Sequence, residues 1–172
     1  MNRWVLLGII IFLSLSPYSV YAENWMPDHY GSNGGLADDN LTIEKVLHYA
    51  IQDEYLAQAR YDAIHKKFGQ VIPFVQIKKV EQQHIHALLH LSDLYNISPP
   101  ENNAADFTPP PTTLRQAFQA SVQAEIDNIN MYEKFISDEG LPQELRNTMN
   151  DIAKASRIHI STLKRGADNY YP

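Results

Sequence analysis

Four stretches of this chain carry apolar residues at helical spacing, and each stripe is broken near its middle by Glu or His. The first stripe is Ile43, Leu47, Ala50, Ala57, Tyr61 and Ile64, with Glu54 in the row. The second is Phe74, Ile77, Leu88, Leu91 and Tyr95, with Glu81 and His84 in the row. The third is Leu114, Phe118, Ser121, Tyr132 and Phe135, with Glu125 in the middle. The fourth is Leu145, Met149, Ile152, Ser156 and Leu163, and His159 falls inside it. Spacings of three and four residues place each set on one helical face. A charge on a core-facing stripe must be paired or bind a metal. One such residue is unremarkable in any helix. One per helix on four helices points to a carboxylate/histidine metal site inside a bundle.

Turn residues set the organisation. Asn40 or Thr42 caps a first helix over residues 41–67, and Gly69 stops it. The second helix covers 72–95. Residues 96–112 then break the pattern, because no helix passes through Pro109-Pro110-Pro111. Extended at about 3 Å per residue, this segment spans a helix about 30–35 Å long. Thr112 or Thr113 caps the third helix, which runs to about Asp138. Gly140 and Pro142 precede the fourth, to about Arg165. The expected fold is all-α: a four-helix bundle over 41–168 with a long Pro-rich crossover between helices 2 and 3. Short loops flanking one long crossover give ferritin-like connectivity rather than simple up-down-up-down. Residues 23–40 read as an irregular N-terminal segment, and 169–172 as a tail.

The chain begins Met1-Asn2-Arg3, followed by an uncharged, largely apolar run from Trp4 to Ser16 and the small-residue end Ser19-Val20-Tyr21-Ala22. Residues 1–22 therefore read as a signal peptide cleaved after Ala22. The run is short for a membrane span, which needs about 20 residues. The expected location is exported, periplasmic or secreted, with no membrane attachment after cleavage. Cysteine is absent from the sequence, which excludes disulfides, thiolate zinc sites and iron–sulfur centres. Without Arg3 the chain has 13 Lys+Arg against 20 Asp+Glu, a net charge of −7. That argues against nucleic acid and anionic lipid as partners.

In di-iron and di-manganese bundles two helices each give one Glu, and two others each give Glu-x-x-His. Residues three apart share a face, so a single turn offers both a hard carboxylate and an imidazole. Glu54 and Glu125 stand as the lone Glu residues, placed to bridge two ions from opposite sides. Glu81-Gln82-Gln83-His84 is the Glu-x-x-His turn of the second helix. The matching turn of the fourth is Ser156-Arg157-Ile158-His159, with Ser in place of Glu. The order of these elements resembles the ferritin-like superfamily over about residues 41–166. The wording Ala155-Ser156-Arg157-Ile158-His159 is similar to its branch called domain of unknown function 2202. The resemblance implies iron first, in two ions, with manganese or zinc as other fits to such ligands. It implies a di-iron oxidoreductase of ferroxidase or peroxidase type, acting on Fe(II), O2 or peroxide. Without cysteine the electron donor must be external. A homodimer is a further partner state to test.

The Ser156 substitution leaves three Glu residues for two divalent ions, and so a surplus of positive charge. A weak second metal, an added anion or a single-metal site are the three ways out. Asn128 is a neutral oxygen donor one turn after Glu125. Asp53 and Asp127 point about 100° from their neighbouring Glu and read as poor candidates. Tyr61 and Tyr132 read first as core tyrosines, and second as hydrogen-bond partners of the site or redox relays. Singly, the residues have plainer readings: an exposed Glu54, a Glu81–His84 ion pair, a hydrogen-bonded core His159. The alternative function is a metal-binding or sensing helical bundle without turnover.

Overall fold

The structure is a computed structural model that describes residues 27–170; the expected signal peptide lies outside them. Among the described residues five helices form: α1 Gly31–Ala37, α2 Ile43–Phe68, α3 Ile72–Leu94, α4 Leu114–Ser137 and α5 Gln143–Tyr170. A single 3-10 turn, Ala104–Phe107, lies between α3 and α4, and no strand occurs among the described residues. None of these helices is long and apolar enough to cross a membrane.

Local chemistry sets the boundaries. Thr42 accepts a hydrogen bond from the Lys45 amide, and Thr113 accepts one from Gln116, each satisfying an orphan donor at a helix start. Lys66 and Lys67 sit in the last turn of α2, where cations suit the helix dipole. Gly69, at φ 79°, then ends α2 in a backbone conformation that a side chain would strain. Pro73 opens α3, where its missing N–H costs nothing.

The four long helices touch in a ring. α2 packs on α3 and α4, and α5 packs on α3 and α4. Each contact is antiparallel. Glu54 meets His84 while Asp62, further along α2, meets Lys78, earlier on α3. On α2 and α4, Glu54 meets Tyr132 and Tyr61 meets Glu125. On α3 and α5, Glu81 faces His159 and Pro73 packs over Gly166. On α4 and α5, Asn128 meets Ser156 and Phe118 packs at Gly166.

Two apolar clusters fill this ring. One contains Leu47, Ile51, Leu88, Met131, Phe135, Met149 and Ile152. The other contains Tyr61, Ile64, Phe74, Ile77, Phe118 and Leu163. Each such side chain contributes about 1.5–3 kcal/mol when fully buried. Glu54 lies between Ile51 and Tyr61, Glu81 and His84 between Ile77 and Leu88, and His159 between Ile152 and Leu163. The polar residues thus form a layer between the two clusters.

Two boundary expectations need correction. The 23–40 segment is not irregular throughout, because Gly31–Ala37 is helical and packs on α2 and α4. Its glycines act as spacers. A Cβ on Gly35 would lie 2.7 Å from the Phe135 ring, so only glycine lets this helix approach α4 so closely. Tyr49 and Lys45 then hold Asp38 at its end. The expected tail at 169–172 is helical through Tyr170, whose ring rests on Phe118 with centroids 5.8 Å apart.

Candidate metal centre

All five sequence-derived site residues converge, and all are buried: Glu54, Glu81, His84, Glu125 and His159. They form two triads. Glu54, Glu81 and His84 make one, and Glu81, Glu125 and His159 the other. Within each triad the ligand atoms lie within 4.8 Å of one another. Glu81 belongs to both. The shared carboxylate is therefore the Glu of the Glu-x-x-His turn, whereas Glu54 and Glu125, expected to bridge, each face one histidine.

The distances are short. His84 Nδ1 lies 2.7 Å from Glu81 Oε2 and 3.3 Å from Glu54 Oε2. His159 Nδ1 lies 3.1 Å from Glu81 Oε1 and 3.4 Å from Glu125 Oε1. Despite this closeness, His159 Nδ1 is buried without a hydrogen-bond partner. Neither oxygen is aligned to take its proton. The two imidazole rings stack with centroids 6.0 Å apart.

Electrostatics agree with cation binding. Burial by itself depresses both histidines, but the neighbouring carboxylates prevail. Glu54 and Glu81 hold His84 at about 10, and Glu125 and Glu81 hold His159 at about 9, against an ordinary 6.5. Burial, followed by the charge of Glu81, raises Glu54 above the usual carboxylate range. Without metal, protons are the cations of this layer. Metal and proton then compete for the same ring and carboxylate atoms.

Two tyrosines complete the layer across the ring. Tyr61, on α2, donates to Glu125 at 3.0 Å. Tyr132, on α4, donates to Glu54 at 2.8 Å. Both phenols are fully buried, and burial pushes their ionisation well above 10. They are core tyrosines and hydrogen-bond partners of the site at once. Tyr132 takes Oε1 of Glu54 and leaves Oε2 to His84, whereas Tyr61 donates to Oε1 of Glu125, the oxygen that also faces His159.

Ser156 is buried and donates to Asn128 Oδ1 at 2.7 Å. That occupies the oxygen expected to face a metal. The Asn128 amide nitrogen turns toward the carboxylates instead, 2.8 Å from Asp53 and 3.3 Å from Glu54. Asp53 is the residue that sequence reasoning set aside. It is buried, and it also accepts from the Ser32 amide of α1 at 2.8 Å. An isolated helix would expose that flank of α2, but α1 covers it. Glycine spacing at Gly31, Gly34 and Gly35 was the signal of that cover. Asp127, by contrast, is half-buried and bonds Gln123 on its own helix. His86 and His90 are exposed, as their turn away from His84 implies.

A small cavity of about 10 Å³ adjoins the site. It is lined by Asp53, Glu54, Glu81, Glu125 and Asn128, with Ala57, Ala124 and Arg60. It has about the size of one water. Buried carboxylate oxygens with imidazole nitrogens suit iron, manganese and zinc. The residues present therefore fit a metal centre.

No protein-family model matches the chain, and no curated protein does. Among solved structures it is similar to the crystal structure of a hypothetical protein from Methanococcus jannaschii. The TM-score is 0.65 at 21% identity, over 77% of this chain and 85% of the other. That likeness concerns the fold alone.

Proposed function

We propose that this protein is an exported ferritin-like four-helix bundle that holds two metal ions, iron in first place. The carrying observation is Glu81, which faces both histidines and so joins two ligand triads around one carboxylate. The ring of antiparallel neighbours supports the bundle reading. α3 and α4 both run against α2, so residues 95–113 return along the helices, and the triple proline suits that extended path. The apolar run and small-residue end of residues 1–22 support export.

His84 with Glu54 would hold one ion and His159 with Glu125 the other, with Glu81 facing both. Bound iron would supply redox chemistry toward O2 or peroxide, either oxidation of Fe(II) or reduction of the oxidant. The chain's own residues bind and orient. Tyr61 and Tyr132 hold the lone carboxylates, and the two apolar clusters exclude water above and below. Ser156 favours a second reading, a metal-binding or sensing bundle without turnover, because the lost carboxylate reduces symmetric charge support for two ions.

Anaerobic loading with Fe(II), elemental analysis and exposure to air separate these readings. A new near-UV absorption band after about two equivalents bind supports the redox protein. Stoichiometric binding with no spectral change on air leaves the non-catalytic reading. No binding of Fe, Mn or Zn overturns both. N-terminal sequencing of protein from the periplasm or medium tests export, with Glu23 as the expected first residue.

A further inference from the structure

The two helical hairpins repeat each other, with one offset between their first helices and another between their second. Thr113, Glu125 and Tyr132 each follow Thr42, Glu54 and Tyr61 by 71 positions. Ser156 and His159 each follow Glu81 and His84 by 75 positions. The same offsets pair Ala57 with Asn128 and Asp53 with Ala124. One hairpin thus sets a small Ala57 beside a large Glu81. The other sets a larger Asn128 beside a small Ser156. The missing Glu coincides with an added Asn on the adjacent helix, and with an added Asp across the ring.

These three substituted positions are physically joined. Ser156 Oγ donates to Asn128 Oδ1, and Asn128 Nδ2 donates to Asp53 Oδ2. The other oxygen of Asp53 accepts from the Ser32 amide. Every polar atom in the chain from Ser156 to Asp53 therefore has a directed partner. The charged residues lining the cavity are Asp53, Glu54, Glu81 and Glu125 against Arg60, which is half-buried. His159 Nδ1, buried and unpartnered, lies among the oxygens of Glu81 and Glu125.

Building on the two-metal reading, we infer that Asp53 supplies the fourth negative charge that Ser156 no longer provides, with Asn128 and Ser156 fixing its place. Asp53 lies outside both ligand triads. It is a positioning residue that balances charge from behind Asn128. Burial raises Asp53 above the ordinary carboxylate range in the metal-free protein and the Asn128 and Ser32 hydrogen bonds oppose that shift; once two divalent ions are bound, four ionised carboxylates match their charge, as four Glu residues would in a symmetric site. Removal of such an outer partner lowers metal affinity by about 10- to 100-fold. The asymmetry also predicts which variant restores binding. In D53N/N128D the donor and acceptor between positions 53 and 128 exchange places, Ser156 still donates to position 128 and Ser32 to position 53, while the longer donation from Asn128 to Glu54 is given up. The charge moves by one residue but is not lost.

The test uses the full mature chain loaded with Mn(II) alone, with stoichiometry and affinity read by titration calorimetry. The wild type is expected to bind about two equivalents. D53N should weaken one of them by roughly 10- to 100-fold. D53N/N128D should recover most of that loss, and S156A should lose less than D53N. Melting of the metal-free proteins is followed in parallel, because a merely structural Asp53 would shift melting and leave stoichiometry unchanged. Two equivalents of unchanged affinity in D53N would overturn the inference while leaving the two-metal reading intact. No binding in the wild type overturns both. Should D53N fail to fold, failure of the folded D53N/N128D protein to bind the second ion overturns it instead.

Discussion

The hairpin of α2 and α3 and the hairpin of α4 and α5 are built alike but carry different charge. Both begin at a capping Thr twelve residues before the lone Glu, and both send a Tyr across to the other's Glu. Both offer one histidine. Yet Asp53, Glu54 and Glu81 are all on the first hairpin, and Glu125 alone among the buried carboxylates is on the second. A buried polar layer can therefore keep its geometry while its charges move to one side. Position is set by helix periodicity and packing, whereas charge acts through space and tolerates relocation by one side chain.

The comparison breaks most sharply at Glu81, which serves both halves. Glu81→Ala should abolish binding at both triads and reduce protein-bound iron or manganese to background by elemental analysis. It also leaves two buried imidazoles with one carboxylate each. The metal-free variant should lose about 3–5 kcal/mol in denaturant unfolding, the usual cost of breaking a buried pair. A variant that keeps one full equivalent would mean the halves do not share this carboxylate.

The histidines separate the halves. His84→Ala and His159→Ala should each lose about one equivalent and retain the other, measured by calorimetric titration. The first hairpin has the greater negative charge. The ion remaining in His159→Ala should therefore bind more tightly than the one remaining in His84→Ala, by roughly tenfold. Equal affinities would show that the layer acts as one charge pool.

A pH series sharpens the same contrast. In the metal-free protein His84 and His159 keep their protons up to about 10 and about 9. The stability from pairing them with Glu54, Glu81 and Glu125 is complete below 6.5, their ordinary value. It is lost as pH rises, through 9 on the second hairpin and through 10 on the first. Metal binding should release up to about two protons and strengthen over this interval. Calorimetry in buffers of different ionisation enthalpy counts those protons. Release that does not change between pH 6.5 and 10 would contradict the assignment.

Smaller effects are expected where the halves match. Tyr61→Phe and Tyr132→Phe each remove one donor to a buried carboxylate, and each should cost about 1–3 kcal/mol in thermal unfolding. Thr42→Ala and Thr113→Ala each remove one cap and should cost about 1 kcal/mol. Unequal costs within either pair would show that the symmetry of the caps and phenols is only geometric.

Helix periodicity exposed most of this in the chain itself. Glu54, Glu81, His84, Glu125 and His159 interrupt apolar rows, and a residue in such a row must face inward once the row is buried. Gly69, the three consecutive prolines and Pro142 punctuate the helices for equally local reasons. Other features depended on neighbours distant in sequence. α1 could not be read from Gly31–Ala37, because its stability comes from contact with α2 and α4 rather than from helix propensity. Asp53 read as a poor candidate for the same reason, since only α1 and Asn128 make its flank of α2 interior.

The sequence by itself determined the helical class, the depth of each polar residue and the identity of the five Glu and His residues that converge, because these follow from a 3.6-residue period and side-chain chemistry. Tertiary structure decided that Glu81 is the shared carboxylate, that Tyr61 and Tyr132 cross between helices, and that Ser156 connects through Asn128 to Asp53. Those outcomes depend on which helices are neighbours and how their faces register, and interhelix distance is not encoded in the periodicity of any one helix.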